Sequence, residues 1–158
     1  MFLTVHSTAG IVIGQSIVNP LGAFFIGLIS HYILDLIPHG DEVRWRNADI
    51  KKMAQLAALD HLGVILMLVS LWLLKPNFSF SLTIFCGIIG SMIPDWLMAV
   101  YRLTKQTQLP MLRLLHALVY YPEQFHHFIH HHIIKYELPF HSGMAWQCIC
   151  FCLLWLLI

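Results

Sequence analysis

The residues of this chain best suited to chemistry are three aspartates and three histidines set in otherwise apolar segments: Asp35, Asp60 and Asp95, with His6, His31 and His61. Ionisable groups at such positions are costly in a lipid environment, so they face a bundle interior and mark function. His31 and Asp35 are four residues apart and share one helix face. Downstream, the string Phe125-His126-His127-Phe128-Ile129-His130-His131-His132 places His126 with His130 on one helix face and His127 with His131 on another. Two histidines at that spacing can chelate one metal. Imidazole and carboxylate together suit a divalent transition metal, zinc first, with manganese or iron as alternatives, rather than calcium. Such a centre, if it keeps an open position, lowers the pKa of a bound water and makes it a nucleophile. Neither a serine nucleophile elbow nor a phosphate-cradling loop is recognisable, so a metal-activated water is the simplest chemistry these residues support.

The elements that must position them are helices in a membrane. Of the 158 residues, 58% are apolar and 11% charged, against roughly 45–50% and about 25% in soluble domains. The expected fold is all-α: a polytopic helical membrane bundle of five spans in a single domain, residues 1–158. The spans fall at about 2–18, 20–37, 56–74, 80–101 and 143–158, with interfacial helices on the cytoplasmic side at about 109–134. A span needs about 17–25 residues. Asn19-Pro20, Pro38 and Lys75-Pro76 punctuate the pattern. A signal peptide is not expected, because no basic region precedes the first apolar stretch and His6 interrupts it. Cys86, Cys148, Cys150 and Cys152 lie in apolar runs and read as small filler. His116, His141 and the Trp and Tyr residues near span ends read as interfacial.

With the N-terminus inside, the inner loops carry Arg44, Arg46, Lys51, Lys52, Arg102, Lys105, Arg113 and Lys135, and only Lys75 falls outside. This bias expects a multi-pass protein of the cytoplasmic (inner) membrane, its N-terminus cytoplasmic and its C-terminus across the membrane. Depth follows from the hairpins. His6 lies 13 residues before Asn19 and His31 lies 12 after it, which puts both roughly 18–20 Å from the turn. His61 lies 16 residues before Asn77 and Asp95 lies 18 after it. Both hairpins therefore place polar groups in one layer toward the cytoplasmic side. Gly27 continues the face of His31 and Asp35, Gly87 and Ser91 lead to Asp95, and Gly10 and Gly14 line span one, a small-residue seam that lets helices approach closely. The layout suggests a weak repeat of two hairpins.

The run Gly27-Leu28-Ile29-Ser30-His31-Tyr32-Ile33-Leu34-Asp35 carries a G-x-x-S-H-x-x-x-D pattern. It resembles the YdjM-like family of bacterial inner-membrane proteins, described as metal-dependent hydrolases. Ile93-Pro94-Asp95 looks like that family's Pro-Asp motif, and His6 is similar to its N-terminal histidine. His126 and His131 have the spacing of its H-R-G-x-T-H-S pair, without the Arg, Gly and Thr. The Asp-His that follows the family's Pro-Asp is replaced by Trp96-Leu97, and the order of segments differs. The resemblance spans about half the chain and implies a hydrolase with His31, Asp35 and Asp95 at its centre. The string His31 to His39 is also similar to the H-x-x-x-D segments of zinc phospholipase C and S1-type nucleases, which implies phosphoester substrates.

The leading expectation is a membrane-embedded metal-dependent hydrolase. His6, His31, Asp35, Asp95, His126, His127, His130 and His131 are its candidate metal ligands, and Asp60 and His61 its candidate catalytic residues, as general base or further ligand. Its partners would be membrane lipid and a lipid-like or phosphoester substrate, with no nucleic acid. The alternatives are a metal-ion or proton transporter, and a non-catalytic membrane scaffold with histidines tuned to pH or metal for stability; the structural reading of His31 with Asp35 is a buried hydrogen-bonded pair that orders two helices.

Overall fold

A computed structural model describes residues 1–40, 48–107, 113–129 and 138–158. Among these residues the fold is all-helical: α1 (Leu3–Ser16), α2 (Pro20–Asp35), α3 (Ile50–Leu74), α4 (Leu82–Thr107), α5 (Arg113–Phe128) and α6 (Phe140–Leu157). Local chemistry sets the boundaries. The Asn19 side chain accepts hydrogen bonds from the Leu21 and Gly22 amides, and Pro20 occupies the first turn of α2, where its missing N–H costs nothing. Asp49 caps α3 by accepting from the Lys52 amide at 2.7 Å. Ser81 Oγ accepts from the Ile84 amide at 3.2 Å at the start of α4.

Among the described residues, three helices are long and apolar enough to cross a membrane, Ile50–Leu74, Leu82–Lys105 and Phe140–Leu157. Five spans were expected. The first two expected spans form α1 and α2, of 14 and 16 residues, which at 1.5 Å per residue are about 21 and 24 Å long against a hydrocarbon core of about 30 Å. Hydropathy continues through Ile17-Val18 and Leu36-Ile37, but the backbone does not: Ile17 is extended and helix α2 closes at Asp35. Conversely, α3 begins earlier than hydropathy suggests and α4 runs on to Thr107.

Helix α4 is the central element, packed against α1, α2 and α5, while α1 also touches α2, α3 and α6. The close packing uses the small-residue seam. A Cβ on Gly10 would sit 2.6 Å from the Gly87 carbonyl oxygen, and one on Gly27 would meet the same carbonyl and the Ser91 amide. Helix α2 shows the resulting division of faces. Ala23, Gly27, His31 and Asp35, each one turn apart, are buried. Leu21, Phe25, Ile29 and Ile33, also one turn apart, are exposed. On α3, Leu62, Ile65, Leu66, Val69, Trp72 and Leu73 face outward, and on α6 Ile149, Leu153, Leu156 and Leu157 do so. Apolar surface this extensive is at home in lipid rather than water. An apolar core of Leu3, Ile11, Val64, Met67, Leu71, Ile84, Ile88 and Met92 joins α1, α3 and α4. The polar residues lie buried at one end of it.

Candidate metal centre

Five of the expected residues meet at one point. His6 from α1, His31 and Asp35 from α2, Asp95 from α4 and His126 from α5 bring their side chains together, and His6, His31 and Asp35 are each 0% exposed. The equal depth expected of His6 and His31 appears as ring stacking, with centroids 4.0 Å apart. Around Asp35, His31 Nε2 stands 3.0 Å from Oδ2, His6 Nε2 3.2 Å from Oδ1 and His126 Nε2 3.3 Å from Oδ2. The Met1 nitrogen donates to Asp35 Oδ1 at 2.8 Å. Asp95 lies 3.9 Å from both His6 Nε2 and His31 Nε2 and is partly exposed.

The hydrogen bonds decide what these nitrogens can do. His31 Nδ1 is 2.8 Å from the Ser91 carbonyl. A carbonyl only accepts, so Nδ1 carries the proton and the neutral ring presents a lone pair at Nε2. That lone pair is 3.0 Å from a carboxylate oxygen, yet Nε2 makes no hydrogen bond, and neither ring nitrogen of His6 makes one among the described residues. Leaving each such buried polar atom unsatisfied costs about 1–3 kcal/mol. A cation, a proton or a metal ion, between two lone pairs facing each other at that distance would relieve their repulsion. The separations suit one: two donors on a tetrahedral zinc at 2.0–2.1 Å are about 3.3–3.4 Å apart, within the observed 3.0–3.9 Å spread. A backbone carbonyl holding the far nitrogen of a ligating histidine is the usual outer partner of a metal site. Two overlapping donor groups, His6-His31-Asp95 and His31-Asp35-His126, each have their ligand atoms within 4.8 Å of one another. The residues therefore fit a divalent transition metal.

The other expected residues lie elsewhere. Asp60 accepts from the Leu3 amide at 3.0 and 3.1 Å with its two oxygens, placing a negative charge at the start of α1, where the helix dipole favours it. His61 donates from Nδ1 to the Ala57 carbonyl at 2.7 Å and accepts at Nε2 from the Trp96 indole at 3.1 Å. Neither belongs to the donor groups around His31. His127 is exposed. His130 and His131 lie outside the described residues. His39 is buried, and its Nδ1 donates to the Ile37 carbonyl at 2.8 Å.

Several contributors were not foreseen. Gln147 of α6, 1% exposed, accepts from the Phe2 amide at 2.7 Å and donates to the His39 carbonyl at 3.0 Å. It ties the start of α1 to the end of α2, and its one clue was a lone amide in an apolar run. Tyr32 packs edge-on to His31 and to Phe125, beside His126. On α5, the His116 ring stacks on Tyr101 with centroids 4.9 Å apart. Thr104 Oγ1 lies 3.0 Å from His116 Nδ1 and gives its own proton to the Tyr101 carbonyl, so His116 is the donor. This contact pins α5 to α4 ten residues before His126. In comparisons with known proteins, no family model, curated protein or solved structure matches the chain.

Proposed function

We propose that the chain is a membrane-embedded metal-dependent hydrolase acting on a lipid-like or phosphoester substrate at the cytoplasmic rim of the inner membrane. The observation that carries this reading is the buried group of imidazole nitrogens without hydrogen-bond partners, held against two carboxylates at ligand-to-ligand separations. His6, His31, Asp35 and His126 would hold the metal. A divalent metal bound there would supply Lewis acidity and a water nucleophile at neutral pH. Asp35, ringed by three imidazoles, fixes their positions. Asp95 stands farther from both stacked histidines than Asp35 does and is the more exposed carboxylate. It borders the open side, where it would complete the ligand set and orient the incoming water. The Asp60 and His61 contacts give those two residues positioning roles, on α1 and α4 respectively.

The basic residues on the expected inner loops support a cytoplasmic N-terminus. The transporter reading has less support, because Ile11 and Leu71, both 0% exposed, and Ile84 and Ile88 fill the bundle beyond the polar layer with hydrocarbon. The test is hydrolysis of a panel of phospholipids and lipid phosphates by purified protein with zinc, manganese or iron. The expected result is turnover by the metal-loaded wild type that chelator abolishes and metal restores, and none by Asp35→Asn. A wild type that binds metal and cleaves nothing on the panel, while melting higher with metal, would favour the scaffold.

A further inference from the structure

The ligand candidates do not fall into one set. They form two donor groups, His31-Asp35-His126 and His6-His31-Asp95, which have only His31 in common, and in neither group do the two carboxylates occur together. The carboxylates are arranged in parallel across the same pair of histidines. Asp35 turns Oδ2 to His31 Nε2 at 3.0 Å and Oδ1 to His6 Nε2 at 3.2 Å. Asp95 turns Oδ1 to His31 Nε2 and Oδ2 to His6 Nε2, each at 3.9 Å. Each histidine thus faces one oxygen of each carboxylate. The rings themselves are stacked, with centroids 4.0 Å apart and planes only 22° apart. A metal bound to an imidazole lies close to the ring plane, along the nitrogen lone pair. Planes this near to parallel meet far beyond a zinc–nitrogen bond of about 2.0–2.1 Å, so one ion reaches both lone pairs only if a ring turns. Two ions, one in each plane, reach both as the rings stand. The ring spacing also matches the roughly 3.5–4 Å between the ions of two-metal sites. Both Nε2 atoms are buried and make no hydrogen bond among the described residues.

We propose that this centre takes two divalent cations, a tight one held by His31, Asp35 and His126 and a weaker one held by His6 and Asp95, with Asp35 bridging to it through Oδ1. The inference rests on the metal-centre reading above and deepens it. The two positions are unequal. At the first, His31 and His126 stand 3.0 and 3.3 Å from Asp35 Oδ2, and all three residues are buried. At the second, Asp95 is partly exposed and 3.9 Å from His6. Asp35 Oδ1 also accepts from the Met1 nitrogen at 2.8 Å, a cation with which the second ion competes. The first ion is therefore retained through purification, with His6 turned toward it, and the second enters from excess metal and takes His6 over. Two-metal sites of this spacing clamp the attacking and leaving oxygens of an in-line displacement, which favours the phosphoester among the proposed substrates.

The test titrates chelator-stripped full-length protein with manganese and follows it by electron paramagnetic resonance. In wild type the first equivalent should give an isolated-ion signal, and further manganese should convert it to the signal of a spin-coupled pair. Asp95→Asn and, independently, His6→Gln should keep the first ion, which reports that each variant is folded, and lose the coupled pair. A wild type that saturates at one ion overturns the inference, as do further ions that stay uncoupled because they bind elsewhere on the chain. A coupled pair of wild-type strength in both variants overturns it too. Coupled manganese in a protein that hydrolyses nothing sustains the inference against the hydrolase reading. Hydrolysis supported by a single ion overturns the inference and leaves that reading standing.

Discussion

In the α1–α2 hairpin, His6 and His31 stack face to face, and both keep Nε2 free of hydrogen bonds among the described residues, beside a fully buried carboxylate. In the α3–α4 hairpin, His61 has both ring nitrogens engaged, one by a carbonyl of its own helix and one by Trp96. The residue types and depths are alike. The difference is what surrounds the second nitrogen. The glycine seam brings α1 and α2 close against α4, and the two imidazoles face carboxylates there, whereas α3, long and lipid-facing, meets α4 through a tryptophan. A histidine in a membrane bundle is available as a ligand where packing gives it no protein partner, and serves as a latch where packing provides one. Asp35 and Asp60 divide the same way: one is ringed by imidazoles, the other caps α1.

This contrast can be broken by substitution. The largest effect is expected from Asp35→Asn, which removes the charge that three imidazoles and the Met1 nitrogen share. Metal affinity should fall by more than the roughly 10–100-fold typical of losing an outer-sphere partner, as read by competition with a fluorescent chelator. Next comes Gly10→Ala. The added carbon meets the Gly87 carbonyl, forcing α1 from α4 at a cost of about 1–3 kcal/mol and loosening His6. Thermal unfolding and metal titration should both register it. His116→Ala cuts the tie that holds α5 and His126, and should weaken metal binding by roughly tenfold, the lower end for an outer-shell loss, with little change in melting. His61→Phe should cost about 1 kcal/mol of stability for its lost hydrogen bond and leave metal stoichiometry intact. A loss of metal in this variant would erase the distinction between the two hairpins. The smallest effect belongs to His127→Ala, where metal content and melting should match wild type.

Much of this arrangement was readable before any coordinates. Equal counting from Asn19 put His6 and His31 at one depth, the i, i+4 spacing put Asp35 on the face of His31, and the glycines marked where helices touch. These follow from fixed helical rise and periodicity, which a sequence states directly. The helix ends did not follow, because hydropathy does not register the extended backbone at Ile17. Gln147 and the His116 contact were hidden because each depends on what another helix places opposite it. His126 and His127 are adjacent in sequence and equal in chemistry. Only the packing of α5 separates the buried one, 3.3 Å from Asp35, from the exposed one.

The central claim is that these side chains form one metal centre. Its most direct test is the metal content of purified protein, wild type beside the His31→Ala, Asp35→Ala double variant, with X-ray absorption of the zinc-loaded wild type. One metal per chain in the wild type is predicted, with a nitrogen and oxygen shell at about 2.0–2.1 Å showing imidazole scattering, and almost none in the folded double variant. Equal metal in both proteins, or a shell without imidazole, would contradict the account.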